Sequence, residues 1–263
     1  MTYPEPGYSR PAPENQPDTG QPVPPQHEAI TVRLPANRPV VSYVFLGLSI
    51  CIYLLQMLST FALGFDLPAG LGAKVNQSIL DGQVWRLITP ILLHGSLIHI
   101  GFNMYALYVI GPGLERYYNS RRFLLLYLIG GFAGNVFSFL FSTSASLGAS
   151  TAIFALIAAQ GIFILKNRFL FGKNATSMLI NVGVIVLINL ALGLSPGIDN
   201  WGHMGGLVGG LIFAWFAGPI YKIQPQAGGY ELRDQNPAAR LWLTTAVELV
   251  LFAALASLRF LMQ

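Results

Sequence analysis

The chain has 263 residues, 53% of them hydrophobic and only 10% charged, where an ordinary soluble domain carries about 25% charged residues. So few charges exclude a soluble globule, and so much apolar content excludes disorder over most of the length. The formal net charge of +4 is dispersed among apolar runs, which argues against nucleic acid as a partner, and the single cysteine, Cys51, excludes a disulfide framework, leaving the lipid bilayer as the partner.

Residues 1–38 contain nine of the 17 prolines, mixed with Gln, Glu, Asn and Gly, and no apolar run. This composition predicts a disordered tail that leans to polyproline II. It lacks the apolar core of a signal peptide, so the first span is expected to serve as an uncleaved membrane signal. His27 lies in this tail and is given no role.

From Val40 onward, apolar runs recur at about 40–64, 96–111, 123–142, 150–165, 178–194, 202–221 and 241–260. A helix needs roughly 20 residues to cross a ~30 Å hydrocarbon core, so these runs predict seven transmembrane helices, some of them short. The fold class is all-α, a polytopic membrane helix bundle. Its expected divisions are a cytoplasmic tail at 1–38, a six-helix core at 39–221, a cytoplasmic linker at 222–240 and one additional helix at 241–263.

Threading seven spans puts eleven Lys and Arg, from Arg33 to Arg240, on one side and only Lys74, Arg86 and Arg259 on the other. The positive-inside rule then predicts a cytoplasmic N-terminus and an extracytoplasmic C-terminus, in the cell membrane. The connection from Phe65 to His94 carries Trp85-Arg86 and moderately apolar stretches, which suit a folded, membrane-associated loop. The fourth run, at 1.5 Å per residue, covers roughly 24 Å. Its outer end is therefore expected below the membrane surface, where irregular backbone is tolerated only inside protein or beside a wet cavity. The polar segment from Ser142 to Gly148 suits such a place.

His94, His99 and His203 lie in or next to spans on the outer side, where ionisable groups are functional candidates. Gly148-Ala149-Ser150-Thr151 puts a serine at the outer end of one helix. Gly202-His203-Met204-Gly205-Gly206 puts a histidine at the same end of another, with Gly206 and Gly210 three and seven residues on, along one face. Phe154, Ala158 and Gly161 follow Ser150 at helical spacing, so the two small-residue faces are expected to pack closely and bring the serine hydroxyl to the imidazole. Serine is a weak nucleophile until a base takes its proton, and a neutral imidazole is a suitable base. His99 and Asn103, four apart on one helix face, can both offer N–H donors to a developing oxyanion, and the Ser150 backbone N–H can add another.

With these elements in order, the sequence resembles the rhomboid intramembrane serine proteases over roughly residues 40–221, with the seventh span matching the subgroup that adds one helix to a six-helix core. The matching residues are Trp85-Arg86, His94 followed by His99 and Asn103, Gly148-Ala149-Ser150, and His203 followed by Gly206 and Gly210. The resemblance implies Ser150 as nucleophile, His203 as general base, and His99 with Asn103 as oxyanion donors. It also implies that Phe154 stacks on the imidazole, that Glu115 is a structural glutamate, and that Trp85-Arg86 braces the first loop. The implied substrates are single-pass transmembrane proteins, cut near the outer end of their helix, with no metal or organic cofactor. Thr151 stands where the family commonly has Gly, and a β-branched residue there is expected to disturb helix packing.

Other readings of these residues are weighed against that one. No His-Glu-x-x-His occurs, and the five-residue spacing of His94 and His99 does not align them on one helical face, which argues against a zinc site. Asp199 reads as a turn and helix cap, outside the site. Glu248, inside the last span, reads as a protonated or hydrogen-bonded carboxyl joining that helix to the core. A catalytically silent rhomboid-like protein that binds membrane clients is one alternative, against which stands the presence of both Ser150 and His203. A channel or transporter lined by His99, Asn103 and His203 is another, with no paired inverted repeat to support it.

Overall fold

The computed structural model describes residues 32–261 apart from Ala36 and Gly228. Of the tail predicted at 1–38, residues 1–31 lie outside the described residues. Eight α-helices dominate: α1 (Val40–Leu63), α2 (Leu67–Gly72), α3 (Asn76–Leu80), α4 (Leu97–Phe141), α5 (Ser150–Lys166), α6 (Ala175–Leu192), α7 (Asn200–Ala217) and α8 (Ala238–Leu261). Five stretches are long and apolar enough to cross a membrane, two of them within α4 (Leu97–Tyr118 and Ser120–Phe141), while α5 is shorter. The protein is an integral, multi-pass helical bundle.

The two arms of α4 meet at Asn119, whose backbone (φ 61°, ψ 160°) is far from helical. The Asn119 Oδ1 accepts the Arg122 N–H at 3.1 Å and so caps the second arm. Both far ends of α4 lie beside the 65–95 connection, because Asn76 bonds Ser142 while Gln56 bonds His94, so the chain reverses at this residue.

Helices in lipid gain little from the hydrophobic effect against one another, so close backbone approach must hold them. The glycines of α7 supply it on two faces. A β-carbon at Gly206 would fall 2.0 Å from the Thr151 carbonyl oxygen, and one at Gly210 would fall 2.4 Å from the Ala155 Cα, both in α5. On the other face, β-carbons at Gly205 and Gly209 would meet Phe137 at 2.5 Å and Ala133 at 2.7 Å, both in the second arm of α4. That arm answers with Gly130, where a β-carbon would meet the Ala155 methyl at 2.1 Å.

This contact set corrects one expectation. The α5 residues that meet the α7 glycines are Thr151 and Ala155, whereas Gly161 turns towards Val182 of α6. The chosen face was off by one residue, because Ser150 lies at the edge of the packed stripe. Thr151 is accommodated: Gly134 and Gly202 both present bare backbone to its side chain, where a β-carbon would come within 2.5 Å and 3.1 Å of it. The β-branched residue fills a gap that two glycines leave.

Burial grades the helices. In the most apolar stretch of Ser120–Phe141, 67% is buried, against 33% in Leu97–Tyr118 and 6% in Gly172–Leu192, so the second arm of α4 and α5 form the centre and α6 a loosely held flank. Glu115 of α4, fully buried, accepts from the Val41 and Ser42 N–H groups at 2.9 and 2.8 Å and from the Ser42 hydroxyl at 2.7 Å. It thereby places a carboxylate on orphan N–H groups at the start of α1. Glu248 in α8 is also fully buried, but neither of its carboxyl oxygens has a hydrogen-bond partner among the described residues. The hydrogen-bonded form of the expected link is therefore not observed.

The end of the bundle away from Ser150 differs from the reading as tail and linker. Residues Val32–Arg33 (β1), Tyr221–Gln226 (β2) and Gly229–Asp234 (β3) form a small sheet in the order β1-β3-β2. β1 runs parallel to β3, and β2 pairs antiparallel with β3 from Tyr221 opposite Asp234 to Gln226 opposite Gly229. Asp234 makes an ion pair with Arg122 and accepts the Ile220 and Asn236 N–H groups, which locks the hairpin to α4. Asn236 and Asn167 in turn donate to the last carbonyls of α7 and α5.

Candidate active site

The 65–95 connection is built around carbonyls. α2 is one and a half turns long, so nearly all its carbonyls lack an intrahelical partner. Arg86 donates to Gly70 O and Ala73 O at 2.6 and 2.8 Å, the Trp85 indole to Leu71 O at 3.0 Å, and the Thr89 hydroxyl to Gly72 O at 2.7 Å. Four successive carbonyls are thus satisfied from one turn. This gives Trp85-Arg86 a direct bracing contact.

That braced loop touches the start of α5. The Gly148 N–H donates to Pro90 O at 2.9 Å, and the Ala149 N–H points at His94 Nε2 at 3.4 Å. His94 is itself fixed by Gln56, which accepts its N–H and donates to its carbonyl, and its ring meets His99 edge-on at 5.3 Å. An imidazole that accepts at Nε2 carries its proton at Nδ1, so the Ala149 contact selects the tautomer of His94.

Ser150 opens α5, and its Oγ lies 3.0 Å from His203 Nε2 on α7. The Phe154 ring, one turn on, stacks on the imidazole at 4.4 Å with an interplanar angle of 15°. His203 Nδ1 has no partner among the described residues. Asp199 caps α7 by accepting the Gly202 N–H at 3.0 Å, so its first oxygen is committed to the helix start. The imidazole is thus stacked on Phe154 and meets the serine hydroxyl, while its Nδ1 and the second oxygen of Asp199 are both without a hydrogen-bond partner among the described residues.

Of the remaining candidates, His99 lies beside the same hydroxyl, across Gly148. Gly148 has φ +136°, a conformation closed to most side chains, and a β-carbon there would lie 2.8 Å from His99 Nε2 and 3.6 Å from Ser150 Oγ. The missing side chain leaves a gap between serine and His99. Asn103, one turn after His99 on α4, is buried, and its Nδ2 has no hydrogen-bond partner among the described residues. The Ser150 N–H sits at the first turn of α5, where helix N–H groups lack intrahelical acceptors. The Ser150 hydroxyl, the His203 imidazole and the His99 ring thus lie around Gly148 and the start of α5 at one end of the bundle. Glu115 and Arg122 lie at the opposite end.

Lys74, Gly134 and Gln56 were not singled out by the sequence, although each touches this site or its supports. A lone lysine in a connection otherwise poor in charge was the one available signal for Lys74.

Comparison with known proteins bears on the same segment. Residues 81–220, which hold every element just described from Trp85 to α7, match the Rhomboid domain family model. Over 198 residues the chain is 39% identical to "Rhomboid protease GluP" of Bacillus subtilis (strain 168), covering 75% of this chain and 38% of that protein. It is 38% identical over 168 residues to "RHOMBOID-like protein 6, mitochondrial" of Arabidopsis thaliana, covering 63% and 53%, and 34% identical over 170 residues to "RHOMBOID-like protein 9, chloroplastic", covering 64% and 39%. The match thus spans between about two-fifths and one-half of these relatives. Since the matched segment takes in Trp85-Arg86, the helices that carry Ser150 and His203, and more than half of the chain, this protein belongs to the rhomboid family.

Proposed function

We propose that the protein is an intramembrane serine endopeptidase that cleaves transmembrane helices of single-pass membrane proteins near their extracytoplasmic end. The observation that carries this reading is the 3.0 Å contact between Ser150 Oγ and His203 Nε2 with Phe154 stacked on the ring. Ser150 Oγ attacks the scissile carbonyl while its proton passes to His203 Nε2. The tetrahedral oxyanion is met by Asn103 Nδ2, the His99 ring and the Ser150 N–H, each such donor being worth roughly 10²–10³ in turnover. His203 then gives its proton to the leaving amine, and the C–N bond breaks. A water, deprotonated by the same nitrogen, cleaves the resulting ester, and Ser150 recovers its hydrogen.

A helical peptide bond is shielded by its own hydrogen bonds, so the substrate must unwind at the site. Gly or Pro in the substrate helix and a small residue before the cut suit that need. The basic residues at the Glu115 and Arg122 end support a cytoplasmic placement of that end, with Ser150 towards the outside.

Purified protein reconstituted with a model transmembrane substrate and a fluorophosphonate tests the reading. The wild type is expected to cleave and to take up label, and Ser150→Ala to lose both while keeping its unfolding temperature. Cleavage by Ser150→Ala, or a wild type that neither labels nor cleaves, overturns it. The second of those results would favour the silent, client-binding alternative.

A further inference from the structure

Lys74 lies between α2 and α3 with none of its surface exposed. A buried lysine ordinarily faces a carboxylate, but this one faces backbone. Its Nζ donates to Ser144 O at 2.8 Å and to Ser142 O at 3.1 Å. Its main chain exchanges two bonds with Ser146, the Lys74 N–H to Ser146 O at 2.8 Å and the Ser146 N–H to Lys74 O at 3.0 Å. One residue therefore makes four hydrogen bonds to the segment that ends four residues before the serine.

The acceptors explain the burial. Ser142 follows directly on the last residue of α4, where carbonyls lack partners and the helix dipole is negative. Asn76 Nδ2 donates to Ser142 O at 2.8 Å, and Arg259 of α8 donates to Leu140 O at 3.2 Å. The rest of the 142–149 segment is held by Pro90 and His94 from the same braced loop. Lys74 grips the first half of the segment, and these two grip the second.

We propose that Lys74 is a positioning residue which, by clasping residues 142–146, fixes where Gly148 and Ser150 stand relative to His203 and the oxyanion donors. The proposal rests on the protease reading above. Displacing a reacting group by about 1 Å can cost about 10²-fold in rate, so a support remote from the chemistry has leverage on turnover. Burial pushes the Lys74 amine down to about 8, with Asp199 drawing it up and Arg259 pushing it further down. The neutral amine still has two N–H groups for its two carbonyls, so the clasp holds in either protonation state.

The test uses the full chain in proteoliposomes, assayed at a temperature where each variant is folded by thermal unfolding. Lys74→Met is expected to lower kcat on a transmembrane substrate at least tenfold, with KM within twofold and fluorophosphonate labelling of Ser150 slowed in parallel. A second variant joins the two strands of the clasp covalently. Directly paired antiparallel residues have Cα atoms about 5.5 Å apart, within disulfide range. In a Cys51→Ser background, K74C/S146C should be slow when reduced and regain most of its kcat when oxidised. A folded Lys74→Met with kcat and labelling within twofold of wild type, or an oxidised double variant no faster than the reduced one, overturns the proposal. A wild type that neither labels nor cleaves overturns the protease reading and this proposal with it.

Discussion

Gly148 is the position where the candidate site is least tolerant of change. Its backbone at φ +136° costs an L-residue strain, and the space a methyl would take lies 2.8 Å from His99 Nε2 and 3.6 Å from Ser150 Oγ. Gly148→Ala is therefore expected to lower kcat by about 10²-fold or more, the worth of an obstructed oxyanion donor, while costing stability by about 1–2 kcal/mol. Turnover and thermal unfolding measured on one preparation separate the two effects. A variant within threefold of wild-type turnover would show that this gap is not where the oxyanion forms. The approach of Ser150 to His203, with Phe154 on the ring, was legible in the sequence because polar residues stranded in apolar surroundings stood at a recognisable spacing. Lys74 was not, since a charge in a connecting loop is ordinarily a solvated one, and only the fold reveals carbonyls around it.

Among the elements, α5 and α7 depend on side chains that are absent. Thr151 is the exception, a β-branched residue inside a seam of glycines, with bare backbone at Gly134 and Gly202 on either side of it. Although the family commonly has Gly here, Thr151→Gly should destabilise this protein by about 1–3 kcal/mol, through the cavity opened and the lost helix propensity. Chemical unfolding in mild detergent measures that cost, and labelling of Ser150 should stay within about twofold. Equal or greater stability of Thr151→Gly would mean the gap closes without it. The glycine run of α7 was visible as a packing face towards α5, but its second partner, the later arm of α4, was not. Periodicity says which residues share a face and is silent on which helix that face meets. The hairpin at 221–234 was missed for another reason: Tyr221-Lys222-Ile223-Gln224 and Tyr230-Glu231-Leu232-Arg233 do alternate apolar and polar residues, but Pro225 cuts the first run short and the segment reads as a polar linker between two apolar spans.

At the scale of the whole molecule, packing is lopsided. The later arm of α4 and α5 are embedded, whereas α6 leaves most of its residues exposed and packs on the core chiefly through Val182 and Val186. A substrate helix that reaches Ser150 from the bilayer meets least resistance along that flank. Photo-crosslinkers placed through Ala175–Leu192 should capture a bound transmembrane substrate, and the same probes in α1 should not. Capture only at α1 or at Ser120–Phe141 would move the entrance to the other side. The helices of the bundle were readable as runs of apolar residues, five of them long and apolar enough to cross a membrane, and the order of the motifs along them pointed to the family. This flank was foreshadowed by the uniform apolarity of residues 178–194, but the difference in burial belongs to the assembled bundle.

The serine and histidine of the dyad are contributed 53 residues apart, on helices that are separate insertion events. The 65–95 loop, both arms of α4 and the serine leave the ribosome first, and the imidazole follows only after all of α6. At 5–20 residues per second, that interval lasts roughly 3–10 s. On the protease reading proposed above, the chain holds its serine through that interval with no imidazole beside it, and order of synthesis would withhold activity until α7 docks.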